Sequence, residues 1–156
     1  MDRLEWFQQR IGGMSADGKD IPRRGGVFRA WPVWEKGQLT GVKVSNLGKG
    51  KTSSVLSMKV FAVTLELLEE RGRAGRARKG KAMGAKLGEP ELALDSVEGR
   101  IANKVYDKNA GETVFRRITP VARLLEWTGI CLNDEPGILR LAPWPPQDGE
   151  KAKADQ

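Results

Sequence analysis

The feature that most constrains the fold is the apolar segment at residues 53–70. Leu56, Val60, Val63 and Leu67 recur at spacings of three and four, the spacing of one face of an α-helix. Further apolar side chains widen this face: Val55, Met58, Phe61, Ala62, Leu65 and Leu68. A helix with so wide an apolar face must be covered on several sides. We therefore predict a long buried helix over residues 53–70 at the centre of the fold.

The segments before this helix predict a sheet and a short helix. Residues 27–34 and 39–45 are rich in β-branched and aromatic side chains and are separated by a turn sequence, which is typical of a hairpin. Pro32 has no amide hydrogen, so the first strand should lie at a sheet edge or carry a bulge. Residues 2–11 have helical apolar spacing. The predicted class is α+β, a small antiparallel sheet packed against a long buried helix and shorter helices.

The segments after the central helix predict a helix, a strand and a further helix. Asp95 and Glu98 have the spacing of a capping box and predict the start of a helix. Residues 112–118 predict a strand. Thr119 and Pro120 then predict the first turn of another helix.

A length of 156 residues predicts one domain. We place this domain at residues 1–142, with a final strand at residues 137–143 and a flexible basic loop at residues 71–89. The proline-rich, charged end at residues 143–156 predicts a disordered tail.

The composition argues against several classes of protein. The chain has no histidine and a single cysteine, Cys131, which removes the commonest general base, an intramolecular disulfide and a thiolate metal cluster. No apolar run approaches the ~20 residues of a membrane span, and the N-terminal segment is too charged for a signal peptide. We therefore expect a cytoplasmic protein that is not an enzyme, needs no cofactor or metal ion and does not enter a membrane.

A glycine- and lysine-rich stretch within residues 42–58 is similar to a phosphate-binding loop. Gly-Lys-Thr at residues 50–52 matches the end of that pattern, but Ser45 occupies the position of its first glycine. No apolar strand ending in an acidic residue is present to hold magnesium, so a bound nucleotide is not expected. The amides of the loop, with Lys49 and Lys51, suit a nucleic-acid phosphate instead. The alternative is a plain connection between a strand and a helix.

The charge of the chain predicts a polyanionic partner. The sequence contains 27 Lys and Arg against 20 Asp and Glu, a net charge of +7. Residues 71–86 contain seven basic residues and no acidic one. The alternative is a solvated loop with no specific partner. The predicted phosphate contacts of this loop are Arg73, Arg76, Arg78, Lys79 and Lys81.

Cations alternate with aromatic residues in the predicted strands, as a surface that stacks bases requires. The predicted contacts of this kind are Arg29, Trp31, Trp34, Lys43, Phe115 and Arg117. Trp31 and Trp34 point to opposite faces of an extended strand, so one flat strand cannot offer both rings to one ligand. We predict that Trp31 stacks and that Trp34 lies in the core. A bulge at Pro32 would reverse the two, and both rings in the core is the alternative.

The hairpin "VFRAWPVWEKGQLTGVKV", the helix "SSVLSMKVFAVTLELLEERG" and the basic loop after it resemble the layout of the ThermoDBP-type single-stranded DNA-binding proteins of hyperthermophilic archaea. The resemblance covers residues 1–145. It implies an α+β domain with a basic, aromatic-lined cleft that holds single strands without strong sequence preference. Some members dimerise through a zipper-like C-terminal helix. The tail after Ala142 has no heptads, which leaves open a homo-oligomer through another interface.

The leading hypothesis is therefore a binder of single-stranded DNA or RNA that reads no sequence. A second hypothesis is a module for duplex DNA or structured RNA, with a groove-reading helix at residues 100–108 and a wing at residues 111–118. A third is a metal-dependent nuclease, although its acidic residues show no convincing catalytic spacing. The carboxylates available to it are Glu35, Asp95, Glu98 and Glu112.

Overall fold

The first half of the chain forms a four-stranded antiparallel sheet. The computed structural model describes residues 1–47 and 52–145. The strands lie side by side in sequence order: β1 (Lys19–Arg23), β2 (Gly26–Glu35), β3 (Gln38–Leu47) and β4 (Thr52–Ser57). The predicted hairpin is confirmed as β2 and β3. β2 is an inner strand, and its register with β3 shifts between Val33 and Trp34 because the extra residue, Thr40, lies on β3. β2 is therefore neither an edge strand nor a bulged one, and the prediction from Pro32 was wrong.

Two helices pack on one face of this sheet. These are α1 (Arg3–Gly12), which confirms the helix predicted at residues 2–11, and α2 (Met58–Glu70). The rings of Phe7 and Phe61 join the helices, with their centres 4.4 Å apart. Both rings are fully buried, so this contact lies in the main core.

The opposite face of the sheet, which we call the outer face, is partly exposed. Along β2, Phe28 is fully buried in the core, whereas Arg29 and Trp31 are only partly buried. Val27 on β2 and Val55 on β4 are 47% and 55% exposed. The two-residue alternation of a strand therefore separates a core face from a face that meets solvent.

The central helix is shorter than predicted. Residues 53–57 belong to β4, where Leu56 is buried and Val55 is exposed. A short apolar run fits both the helical and the strand period, and here pairing with β3 satisfies its backbone hydrogen bonds. α2 has 13 residues, of which seven are buried.

A second, three-stranded antiparallel sheet has the order β5-β7-β6. Its strands are β5 (Arg76–Arg78), β6 (Cys131–Glu135) and β7 (Ile138–Leu141), the last of which confirms the predicted final strand. β5 comes from the segment predicted as a flexible basic loop, residues 71–89. Ala77 pairs with Leu139, and both side chains are buried.

The rest of the predicted basic loop is also anchored by small apolar residues. Ala82, Ala85 and Leu87 are buried in a small second cluster with Leu92 and Val114. The composition did not indicate this packing, because arginines and lysines dominate it, whereas the buried residues are the alanines between them.

The two later helices begin at other residues than predicted. α3 (Val97–Tyr106) is capped by Ser96, whose hydroxyl accepts a hydrogen bond from the Gly99 amide at 3.1 Å, and not by Asp95. α4 (Ile118–Trp127) begins before the predicted Thr119.

The predicted strand at residues 112–118 was wrong, since only an isolated bridge joins Thr113 to Lys86. No neighbouring strand continues this pairing along the segment, which instead leads directly into α4.

The domain extends beyond the predicted boundary at residue 142. The ring of Trp144 meets that of Trp6 edge to face at 5.8 Å and lies 5.4 Å from the guanidinium of Arg3. The rest of the predicted disordered tail, residues 146–156, lies outside the described residues. Four α-helices and two antiparallel sheets among the described residues confirm the α+β class.

Candidate nucleic-acid interface

Two clefts meet beside the second sheet. The first has a volume of about 800 Å³ and the second about 750 Å³, and Lys79 and Pro136 line both. We call the two clefts together the basic groove. Its basic lining residues are Arg23, Arg24, Arg71, Arg76, Arg78, Lys79, Lys81, Arg116 and Arg123.

The backbone at residues 79–81 is held in place by three neighbouring segments. The Lys79 amide donates to the Gly137 carbonyl in the β6–β7 turn at 2.9 Å, and the Lys79 carbonyl accepts from the Glu98 amide at 2.9 Å. The Lys81 amide donates to the Glu91 carbonyl at 2.8 Å. The lysine side chains therefore extend from a backbone that is already ordered, which lowers the entropy lost when they bind a ligand.

The groove has an excess of positive charge because, among the described residues, nine basic and only four acidic side chains line it, and three of the acidic ones are paired. Asp95 pairs with Arg71 at 3.1 Å, Glu135 with Arg76, and Asp134 with Arg140 at 3.0 Å. By contrast, the three consecutive groove cations Arg78, Lys79 and Lys81 form no salt bridge with any residue that the structure describes. Burial and the neighbouring Arg123 hold the pKa of Lys79 below its ordinary value.

A buried carboxylate lies behind the second cleft. Glu98 is 1% exposed, and its Oε1 accepts a hydrogen bond from the Arg117 amide at the start of α4 at 2.8 Å. Its Oε2 is buried without a hydrogen-bond partner among the described residues. Burial raises the pKa of Glu98 to about 7, although the Arg117 amide and the charges of Arg117 and Arg116 act in the opposite direction.

Exposed aromatic and sulfur-containing side chains adjoin the groove. Phe115 is 76% exposed, and the Arg117 guanidinium lies 5.7 Å from its ring centre and 3.7 Å from that of Tyr106. The neighbouring Arg116, which lines the second cleft, donates to Sδ of the exposed Met83 at 3.7 Å. We call these five residues the Phe115 cluster. They combine exposed apolar surface with two guanidinium groups.

A second basic and aromatic surface lies on the outer face of the first sheet. The Trp31 ring centre is 6.0 Å from the Arg29 guanidinium and 5.7 Å from the Lys43 ammonium. Trp31 and Lys43 are register partners, and Lys43 is in turn the partner of Val55. Arg29, Trp31, Lys43 and Val55 form what we call the Trp31 platform. The predicted combination of Arg29, Trp31 and Lys43 on one face is therefore present.

The structure does not bring all the predicted residues into one cleft. Arg29, Trp31 and Lys43 line neither cleft of the groove, and Arg73 is exposed on a 3-10 turn outside both. Lys49 and Lys51 lie outside the described residues. Of the predicted contacts, the groove contains Arg76, Arg78, Lys79 and Lys81.

Trp34 is not the core residue that we predicted. It is 52% exposed and lies against Gly12 of α1, where a Cβ atom would be 3.4 Å from the tryptophan ring. Trp34 shares the helix-facing side of β2 with Phe28, but it lies near the end of the strand at the margin of that face, so its ring stays half exposed beside α1.

Several groove residues were missed from the sequence. Arg23 and Arg24 lie at the β1–β2 turn, Arg116 precedes α4 and Arg123 lies on α4. The adjacent arginines in the turn sequence "PRRGG" were the available signal, since basic residues at a tight turn are exposed. No local pattern indicated that the β1–β2 turn, the segment before α4 and α4 itself would meet at one cleft.

The carboxylates considered for a nuclease have other contacts. Asp95 pairs with Arg71, Glu112 contacts Lys108 at 3.7 Å, and Glu98 is buried. The described part of the chain contains no group of three or more His, Cys, Asp or Glu residues placed to hold a metal ion. Among the same residues, no helix is long and apolar enough to span a lipid bilayer.

No protein-family model matches the sequence, and neither a curated protein nor a solved structure matches it significantly. The resemblance to the ThermoDBP-type proteins thus stays a prediction.

Proposed function

We propose that this protein binds single-stranded nucleic acid along the basic groove without reading its sequence. The observation that carries the proposal is the row Arg78, Lys79 and Lys81, three groove cations with no salt bridge to a described residue. Phosphates of a single strand would neutralise these cations and release counterions. A cytoplasmic location is part of the proposal, since the single cysteine, Cys131, is buried and free and suits a reducing compartment.

The pairing of the groove's acidic residues supports an anionic ligand. Of the four carboxylates that line the two clefts, Asp95, Asp134 and Glu135 already have arginine partners, and Glu91 has no salt bridge among the described residues. A phosphate entering the groove therefore meets three neutralised acids, one unpaired carboxylate and two lysines without a salt bridge. This excess of positive charge would attract polyanions over a distance that depends on the salt concentration.

The Phe115 cluster supports a single strand rather than a duplex. A ring that is 76% exposed beside two arginines suits the face of an unpaired base, and such stacking contributes ~1–3 kcal/mol per base. Bases in a duplex are stacked on each other and offer no free face. Phe115 immediately precedes the groove residue Arg116, so phosphate and base contacts would be adjacent.

The duplex hypothesis finds less support in the same structure. Arg100, on the helix proposed to read a groove, makes two hydrogen bonds to the Glu70 carboxylate, at 3.1 and 3.0 Å. The side-chain Nδ2 of Asn103 donates to the Lys108 carbonyl at 2.9 Å. The proposed wing at residues 111–118 contains no strand longer than one bridge. Arg100 and Asn103 of this helix are therefore already engaged in contacts within the protein.

The test is a fluorescence-anisotropy titration of labelled single-stranded and matched duplex oligonucleotides at several salt concentrations. The triple variant Arg78→Ser, Lys79→Ser, Lys81→Ser removes three phosphate contacts worth a slope of ~0.7 each. We expect its slope of log K against log salt to be shallower by about 2 than that of the wild type. Single strands should bind more tightly than duplex to the wild-type protein.

The matched control changes three exposed cations outside the groove, Lys36→Gln, Lys59→Gln and Lys104→Gln, and so lowers the net charge by the same amount. It should keep almost the full wild-type slope. Equal slopes in the two folded triple variants would show that only the total charge matters, and tighter binding of duplex would reject the single-strand assignment.

A further inference from the structure

The β1–β2 hairpin connects the basic groove to the Trp31 platform. Arg23 and Arg24, at the turn of this hairpin, line the second cleft of the groove. Val27, Arg29 and Trp31 then follow on the outer face of β2 at alternate positions. With a rise of ~3.3 Å per residue, Gly26 at the start of β2 and Trp31 are separated by ~17 Å along the strand. The turn that carries Arg23 and Arg24 therefore joins the second cleft to the strand that carries the Trp31 platform.

The Trp31 ring is held in one orientation. Gly18 packs against it so closely that a Cβ atom there would lie 2.7 Å from Nε1 of the ring, and its φ of +88° suits glycine. Arg29 is fixed by hydrogen bonds to the Asp17 carbonyl, at 2.8 and 3.0 Å, and by a 2.9 Å ion pair with Asp20. A stacking surface that is already ordered loses little entropy when a base binds.

The neighbours of the ring present apolar surface with cations at its margin. Val27 and Val55 are 47% and 55% exposed, and Lys43 is exposed between Trp31 and Val55 in the register of the sheet. A nucleic-acid strand has the complementary chemistry, since its bases offer apolar faces and its phosphates offer charge. A second copy of a chain with net charge +7 would place like charges together here.

We propose that the Trp31 platform is a second contact for the same single strand that occupies the groove. The strand leaves the groove at Arg23 and Arg24 and continues along the outer face of β2, where a base stacks on Trp31. This inference rests on the proposed function, and it adds that long strands make a contact that short strands cannot reach.

The test is a length series of labelled oligothymidylates of about 4 to 16 nucleotides, titrated by fluorescence anisotropy. The affinity of the wild type should rise in two steps, the second when the strand reaches the platform. Trp31→Ala should leave the affinity for the shortest strands unchanged and lower the affinity for the longest strands by about 5- to 150-fold. Trp34→Ala is the matched control, because this second exposed tryptophan of β2 lies beside α1 and should not change the length dependence.

Lys43→Ser is a second variant that removes an exposed side chain. It should lower the affinity for long strands only. The inference is overturned if the folded Trp31→Ala protein binds the longest strands with wild-type affinity. It is also overturned if the substitution lowers the affinity for strands of every length by the same factor. It is also overturned if Trp31→Ala changes the oligomeric state by light scattering, since a second copy would then cover the platform. Failure of the wild type to bind any length would instead reject the groove proposal.

Discussion

The basic groove and the Trp31 platform contain the same kinds of side chain but differ in what their cations contact. Three groove cations, Arg78, Lys79 and Lys81, have no salt bridge with a described residue. On the platform, Arg29 is held by Asp20, and Lys43 is the one cation without a salt bridge to a described residue. An unpaired cation keeps its charge for a phosphate, while a paired one is already partly neutralised. The groove should therefore supply most of the salt-dependent affinity, and the platform should supply stacking.

The largest effect should come from the buried carboxylate behind the groove. Burial raises the pKa of Glu98 to about 7 in the folded protein, from about 4.5 when unfolded. The folded state therefore binds this proton more tightly, so stability from Glu98 is complete below pH 4.5 and is lost as the pH rises through 7. The loss corresponds to about 3 kcal/mol of unfolding free energy.

Glu98→Gln should remove this loss, because the glutamine still accepts from the Arg117 amide and carries no charge. Chemical denaturation at pH 5 and pH 8 measures the difference. The exposed Glu66→Gln variant should keep the wild-type dependence on pH. If Glu98→Gln is as sensitive to pH as the wild type, the carboxylate is not the source of the effect.

An intermediate loss of affinity should distinguish stacking on Phe115, beside the groove, from charge within the groove. Phe115→Ala should weaken binding of single strands of every length by ~1–3 kcal/mol, because a base loses its ring partner. Its melting temperature should stay near that of the wild type, since the ring is 76% exposed. Met83→Ala, a change of similar exposure at 74%, removes apolar surface without an aromatic face. Equal losses of affinity in both variants would contradict stacking on Phe115.

The smallest effect should come from releasing a paired cation in each region. Glu135→Gln frees Arg76 for a phosphate, so the salt slope should steepen by at most ~0.7 and binding should tighten for all strand lengths. Asp20→Asn frees Arg29 on the platform, and the gain should appear only with long strands. Anisotropy titrations across the length series compare the two. A gain with short strands in Asp20→Asn would show that the two regions are not separate contacts.

Local patterns predicted the parts of the site that alternate along one strand. Arg29 and Trp31 share a face because side chains of a strand alternate, and the hairpin placed Lys43 opposite them. The groove could not be predicted in the same way. Arg24 and Arg123 are far apart in the chain, and they line one cleft only because the β1–β2 turn comes to lie beside α4.

The sequence by itself determined the α+β class, the β2–β3 hairpin, the first helix and the last strand, since each depends on the spacing of neighbouring residues. Tertiary structure decided that residues 53–57 form a strand, because pairing with β3 outweighs a helical pattern that is compatible with both periods. It likewise decided that the basic segment contains β5, because Ala77 gains its burial only beside Leu139, about sixty residues later in the chain. Contacts between residues so far apart leave no pattern in the local sequence, and the basic groove is formed by such contacts.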